Sequence, residues 1–155
     1  MPLKPVQFEN EVLLVDLPQG WADCSGSEDE FKYFANAKTR EDLVIELRWI
    51  PEGVDIAELA KIVEVLAHHR VTALAQFSAG QFTVLEGTQA TNDARSEYIF
   101  SGLDTKNSVY SKSILSGHLS HVVTVHYYLH RYTAVSADIV TRANTVFAMC
   151  RSKVA

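Results

Sequence analysis

Between Asp42 and Ile50 the apolar residues Leu43, Ile45, Leu47 and Trp49 alternate with Asp42, Glu46 and Arg48, the period-2 signature of a strand with one buried face. The period then changes. Pro51 and Gly53 break the strand, and Ile56, Leu59, Ala60, Val63, Leu66 and Ala67 recur at helical spacing with Asp55, Glu58, Lys61, Glu64 and His68 on the other side. A half-buried strand followed at once by an amphipathic helix predicts a helix lying on a sheet, the α+β solution to burying both apolar faces. Asp55 and Glu58 make an Asp-x-x-Glu start that resembles a capping box. The pair His68-His69 is expected to end the helix, where a protonated imidazole favours the C-terminal end of the dipole.

The other segments fit that scheme. Glu11 to Asp16 reads as a first strand, stopped by Pro18 and Gly20, with Trp21 re-entering the core. Phe31 to Ala35 reads as a second. Gln81 to Glu86, Ala94 to Phe100, Asn107 to Leu115 and His118 to Leu129 read as later strands, and Ser116-Gly117 predicts a tight hairpin between the last two. On the longest strand, Leu119, His121, Val123, Val125, Tyr127 and Leu129 share the face expected to be core. A final helix starts near Ser136, with Ile139, Ala143, Val146, Phe147 and Cys150 at helical spacing. Neither a repeat nor a linker interrupts the 155 residues, so the expectation is one domain, burying roughly 68–70% of the surface its unfolded chain exposes.

Charge and cysteine usage narrow the function classes. Fourteen Lys and Arg against nineteen Asp and Glu give a net charge of −5, which argues against a nucleic-acid backbone as the main ligand and would steer in a basic partner. Cys24 and Cys150 lack the close spacing of a redox or zinc pair and fit a reducing cytoplasm, with a single bridge as the lesser alternative. The N-terminal stretch has no apolar run followed by a cleavage site, and no segment approaches the ~20 apolar residues of a spanning helix. A cytoplasmic location without membrane attachment is expected.

Catalytic signatures are weak throughout. The six histidines invite a metal reading, with His118, His121, His126 and His130 close in sequence. On one strand, however, His118 and His121 would face opposite ways, and residues four apart lie ~13 Å apart at about 3.3 Å per residue, too far to share an ion. Ser78 and Ser116 lack the Gly two positions earlier that a nucleophile elbow needs. Cys150 reads as a small hydrophobe on the last helix, and Cys24 lies in an acidic loop that disfavours the thiolate. Gly26 and Gly87 fit no phosphate or dinucleotide fingerprint and are expected in turns. No catalytic, cofactor or metal residue is assigned. Two surfaces are left as partner-binding candidates: the acidic run Glu28, Asp29, Glu30, and an exposed row of His118, Thr124, His126, Tyr128 and His130 with Tyr132.

One set of motifs carries a resemblance. Leu17-Pro18-Gln19-Gly20-Trp21 after an opening strand, Pro51 to Leu59 leading into a helix, Val84 to Ala90 centred on Gly87, a strand hairpin and a last helix ending near Arg151-Ser152 resemble the PsbP-like superfamily, which includes DcrB-type bacterial proteins and Mog-type Ran-binding proteins. The resemblance implies a curved antiparallel sheet flanked by two main helices, an α-β-α sandwich that binds proteins and does not catalyse. It also brings in the Eag chaperones, cytoplasmic proteins that hold apolar segments of type VI secretion effectors, and the small acidic immunity proteins of the same neighbourhoods. The leading expectation is an immunity protein that covers a toxin with its acidic loop and His/Tyr strand, as a monomer or homodimer. The alternative is an Eag-like effector chaperone, and a small metal-dependent hydrolase ranks last.

Overall fold

A computed structural model describes residues 5–131 and 136–153. Among them ten strands and two helices follow in the order β1 (Val6–Glu9), β2 (Leu13–Leu17), β3 (Ala22–Asp23), β4 (Phe31–Asn36), β5 (Glu41–Trp49), α1 (Ile56–Phe77), β6 (Phe82–Thr91), β7 (Arg95–Asp104), β8 (Val109–His118), β9 (His121–His130), α2 (Ala137–Ala148) and β10 (Cys150–Ser152). Seven strands form one sheet in the order β3-β4-β5-β9-β8-β7-β6, and β1-β2-β10 form a smaller one. Every pairing is antiparallel. The expected α+β class, with antiparallel sheet and two helices, is what the chain adopts. No helix among the described residues is long and apolar enough to cross a membrane.

Topology explains the layers. The chain leaves the large sheet after β5 and must reach β6 at the far edge before β7, β8 and β9 meander back to pair with β5. Helix α1 makes that crossing, and so it lies over β6, β7 and β8. Leu59, Val63 and Ala67 pack there on Phe100, Leu115 and Val122. The opposite face buries Leu43, Ile45, Tyr110, Val123, Val125 and Tyr127 against Leu13, Val15, Leu17 and Trp21, with Ala143 and Val146 of α2 closing the same core. Trp21 is fully enclosed, as its place after the Pro-Gly turn predicts.

Several boundaries differ from the sequence expectation for identifiable reasons. Asp55 caps α1 by accepting from the Glu58 amide at 2.8 Å, but the helix runs on to Phe77, so His68 and His69 lie mid-helix and the dipole role assigned to them is lost. It ends at Ser78, where Ala79 and Gly80 take positive φ values of 52° and 82° and the Gly80 amide donates to the Ala75 carbonyl. Cys150 opens β10 instead of closing α2. Gly87 sits inside β6 opposite Phe100, not in a turn. The β8–β9 hairpin turns at Leu119-Ser120, and Gly117 pairs with Val122 within the ladder. Gly117 is there for space: a Cβ would stand 2.6 Å from Val63 Cγ2 and 3.1 Å from Leu59 Cδ1, so the missing side chain lets α1 sit down on the sheet.

Candidate functional site

Because α1 is displaced toward β6–β8, the β4–β5–β9 half of the same face is left open along the helix. Two adjoining cavities of about 620 Å3 and about 410 Å3 occupy this strip, and Arg70 and Ala73 line both. They form one groove with Arg70 at its waist. The larger end is bounded by Phe31, Glu46, Arg48, Leu66 and His69, with Glu30 and Trp49 at its mouth. The smaller end is bounded by Tyr33, Val44, Leu74, Phe77, Phe82 and Val109. Phe31, Trp49 and Phe77 are 43%, 49% and 69% exposed, so the apolar walls reach solvent at both ends.

The strand period decides which side chains meet the groove. Asp42, Val44 and Glu46 of β5 share parity with Thr124, His126, Tyr128 and His130 of β9 through the register Asp42↔Tyr128, Val44↔His126 and Glu46↔Thr124. Four of the six row residues therefore do line one site. The row is not the exposed surface expected, however. His126 and Thr124 are 2% and 7% exposed beneath α1, Tyr128 is half-buried, and of the described members of the row only His130 stands in solvent. His118 does not belong to the row at all. It ends β8 beyond the turn, buried, and stacks on His121 with ring centroids 4.7 Å apart. The premise that these two imidazoles face opposite ways is thereby corrected, since the turn places them side by side. Among the described residues no three His, Cys, Asp or Glu converge as a metal site. Tyr132 lies outside the described residues. Glu28, Asp29 and Glu30 are exposed as expected, on the loop before β4 that borders the larger end.

Polar groups in the groove are mostly partnered. Ser113 Oγ and His126 Nδ1 lie 2.6 Å apart, and His126 Nε2 is 3.5 Å from Glu46 Oε2. Burial holds the imidazole below its ordinary pKa of 6.5, while its hydrogen bond to Glu46, working against burial, keeps that carboxyl low. At the other end Tyr33 donates to Asp42 at 2.8 Å, and His130 Nε2 lies 2.5 Å from the other oxygen of Asp42. Burial, with the Asp42 hydrogen bond, pushes the Tyr33 hydroxyl up to about 12. Arg70 donates to the Tyr128 hydroxyl and lies over that ring at 5.7 Å. Outside the groove, burial pushes the Cys150 thiol up to about 12, which leaves it inert as a nucleophile.

One pH dependence follows from these environments. Burial lowers the pKa of His118, His121 and His126 below 6.5, with Arg95 adding to the effect on His118, His118 to that on His121 and Arg70 to that on His126. Each ring then binds protons more readily unfolded than folded. The stability of the neutral rings is whole above pH 6.5 and erodes as pH falls through the lowered folded values. Thermal midpoints followed by circular dichroism are expected to drop between about pH 7.5 and about pH 5, and less steeply for His126→Gln. A flat profile in that window would contradict the neutral, buried assignment.

No family model matches the chain, and no curated protein matches it in sequence. Among solved structures, the solution structure of cyanobacterial PsbP (CyanoP) from Synechocystis sp. PCC 6803 matches with a TM-score of 0.63 over 96% of this chain and 92% of that one, at 12% identity. The fold is PsbP-like. The Ran-binding protein Mog1p of Saccharomyces cerevisiae is also similar, with a TM-score of 0.49 and 12% identity over 93% of this chain and 84% of that one. Identity at this level speaks for the PsbP-like fold alone, and a function has to be argued from the site.

The groove itself could not be read from the sequence. Its helical wall, Leu66 to Phe77, lies mostly beyond His68-His69, the pair expected to end the helix. The usable signal was Arg70, a cation just before the uncharged stretch from Val71 to Phe77, which continues at helical spacing through Leu74.

Proposed function

We propose that this chain is a non-catalytic protein-binding module whose working surface is the groove between α1 and strands β4, β5 and β9. The observation that carries this reading is the continuity of that groove: two cavities meeting at Arg70 and Ala73 over a polar strand floor, the smaller mainly apolar and the larger mixed, with Phe31 and Trp49 exposed at one end and Phe77 at the other. Such a channel suits a segment of another polypeptide laid along α1, because apolar side chains can enter at Phe31 and Phe77 while backbone groups reach polar partners. The favoured role is therefore that of an Eag-like adaptor that keeps an apolar effector segment out of water in the cytoplasm. The burial of Thr124 and His126 removes the exposed strand on which the toxin-neutralising reading leaned.

A second reading keeps support from one feature. The loop with Glu28, Asp29 and Glu30 is exposed beside the groove mouth, where it would draw in a basic face of a toxin. A photo-crosslinking amino acid placed at Ala73 or at Glu28 in the native host separates the two. For the adaptor, Ala73 should crosslink to an apolar segment of one secreted effector. For the immunity protein, Glu28 should crosslink to the folded toxin domain and Ala73 to nothing. Silence at both positions would sink the binding-module reading.

A further inference from the structure

The groove has a charge imbalance at its centre. Its carboxylates are accounted for: Asp42 accepts from Tyr33 and stands against His130, Asp104 accepts from the Asn107 backbone amide at 2.9 Å and side-chain amide at 2.8 Å, and Glu46 faces His126. Glu30 is solvated on the loop before β4. Arg48 is solvated too. Arg70 differs. Its guanidinium is half-buried at the waist, its Nε is enclosed with no hydrogen-bond partner, and no carboxylate lies within ion-pair distance of it among the described residues. Among the described residues its hydrogen-bond partner is the neutral Tyr128 hydroxyl. Burial accordingly disfavours its charged form, and Glu46 offsets this only in part from a distance. A guanidinium presents five donors in a planar fork suited to a carboxylate, and most of them are unused here.

We propose that Arg70 is the anion-recognising residue of the groove, and that the polypeptide segment it holds carries an Asp or Glu side chain within an apolar run, seated opposite Arg70. This rests on the binding-module reading and narrows it. The segment's apolar residues fill the ends walled by Phe31 and Leu66 on one side and by Leu74 and Phe77 on the other, and its carboxylate supplies the counter-ion missing between them. Desolvation strengthens the pairing, so recognition is by charge at one place and by apolar surface on either side.

The test uses three fluorescein-labelled Leu/Ala peptides of about a dozen residues, identical but for a central Glu, Gln or Lys, titrated by anisotropy against the full chain. That length as a helix is about 18 Å at 1.5 Å per residue, close to the reach of α1 from Leu66 to Phe77. The Glu peptide should bind at least tenfold more tightly than the Gln peptide, and the Lys peptide should bind weakest. In Arg70→Gln that preference should vanish while the apolar contribution persists, and Arg70→Lys should restore part of it. Circular dichroism confirms that each variant is folded, and the Glu-to-Gln comparison on the unaltered chain needs no variant. Equal binding of Glu and Gln peptides by that chain overturns the anion assignment and leaves the groove reading standing. Binding of none of the three overturns both. Laurate displacing the Glu peptide at comparable concentration, with the same dependence on Arg70, would assign the site to a small amphiphile and overturn the polypeptide occupant.

Discussion

Arg142→Met is expected to cost about 3 kcal/mol of folding stability, seen as a lower urea midpoint at unchanged slope. Glu41 opens β5 with its side chain on the α2 face of the sheet, 1% exposed. Arg142 of α2 reaches it with Nε at 2.8 Å and Nη2 at 2.7 Å, a two-pronged pair that ties the last helix to the sheet. Tyr127 and Thr39 each donate to the same carboxylate at 2.6 Å. Burial alone would raise the Glu41 pKa, and the hydrogen bonds from Arg142, Thr39 and Tyr127 together hold it below 4.5. Removing the cation leaves an enclosed carboxylate with only neutral donors. Breaking a buried pair in this way costs about 3–5 kcal/mol, and the lower end applies because the Arg142 side chain is 38% exposed, so water can approach the gap.

Two controls give that expectation its sign. In Arg142→Met the Glu41 pKa must rise, so the deficit should shrink as the pH is lowered toward about 4 and the carboxyl takes up a proton. Pairing the change with Glu41→Gln should recover part of the loss, because the uncompensated charge is gone. A single variant within about 0.5 kcal/mol of the unaltered protein would mean that solvent, not Arg142, satisfies Glu41.

Strands β2 and β4 to β9 and both helices were legible from their periods, whereas β1, β3 and β10 are too short to show one and were not read; the split of β9 into two faces was read correctly for Val123, Val125 and Tyr127. The other face of β9 was misjudged for a topological reason. Its polar residues look solvent-facing until one knows that α1 crosses the same side of the sheet, and local pattern does not say which strands a crossover will cover. His126 shows how such burial is tolerated: Ser113 on one neighbouring strand and Glu46 on the other satisfy its two nitrogens, partners that only the pairing of β8 and β5 with β9 brings together. Gly117 misled in the opposite direction. Ser116-Gly117 has the composition of a turn, yet this glycine serves a close approach between layers, which composition cannot distinguish.

Gly117→Val puts that close approach to the test and should be as damaging as losing Arg142. The first added carbon already meets Val63 Cγ2 at 2.6 Å, Leu59 Cδ1 at 3.1 Å and the Ser96 carbonyl oxygen at 3.2 Å, and two further methyls extend from it. Leu59 and Val63 are fully buried in the α1 core, so they have little room to turn away, and the Ser96 carbonyl is fixed in the β7–β8 ladder. The helix must lift or the strand must bend. Overpacking of this kind costs about 1–3 kcal/mol, and the upper end applies where one of the contacts is backbone. Because α1 is also the wall of the groove, a lifted helix changes the distance from Arg70 and Ala73 to the β5–β9 floor. Gly117→Val should therefore lose stability in urea and, at temperatures where it remains folded, weaken binding of the Glu peptide as well. Gly117→Ala should show the same two effects at smaller size. A valine variant that keeps full stability would show that α1 is not seated on Gly117, and one that loses stability but binds the peptide unchanged would detach the groove from the helix that forms its wall.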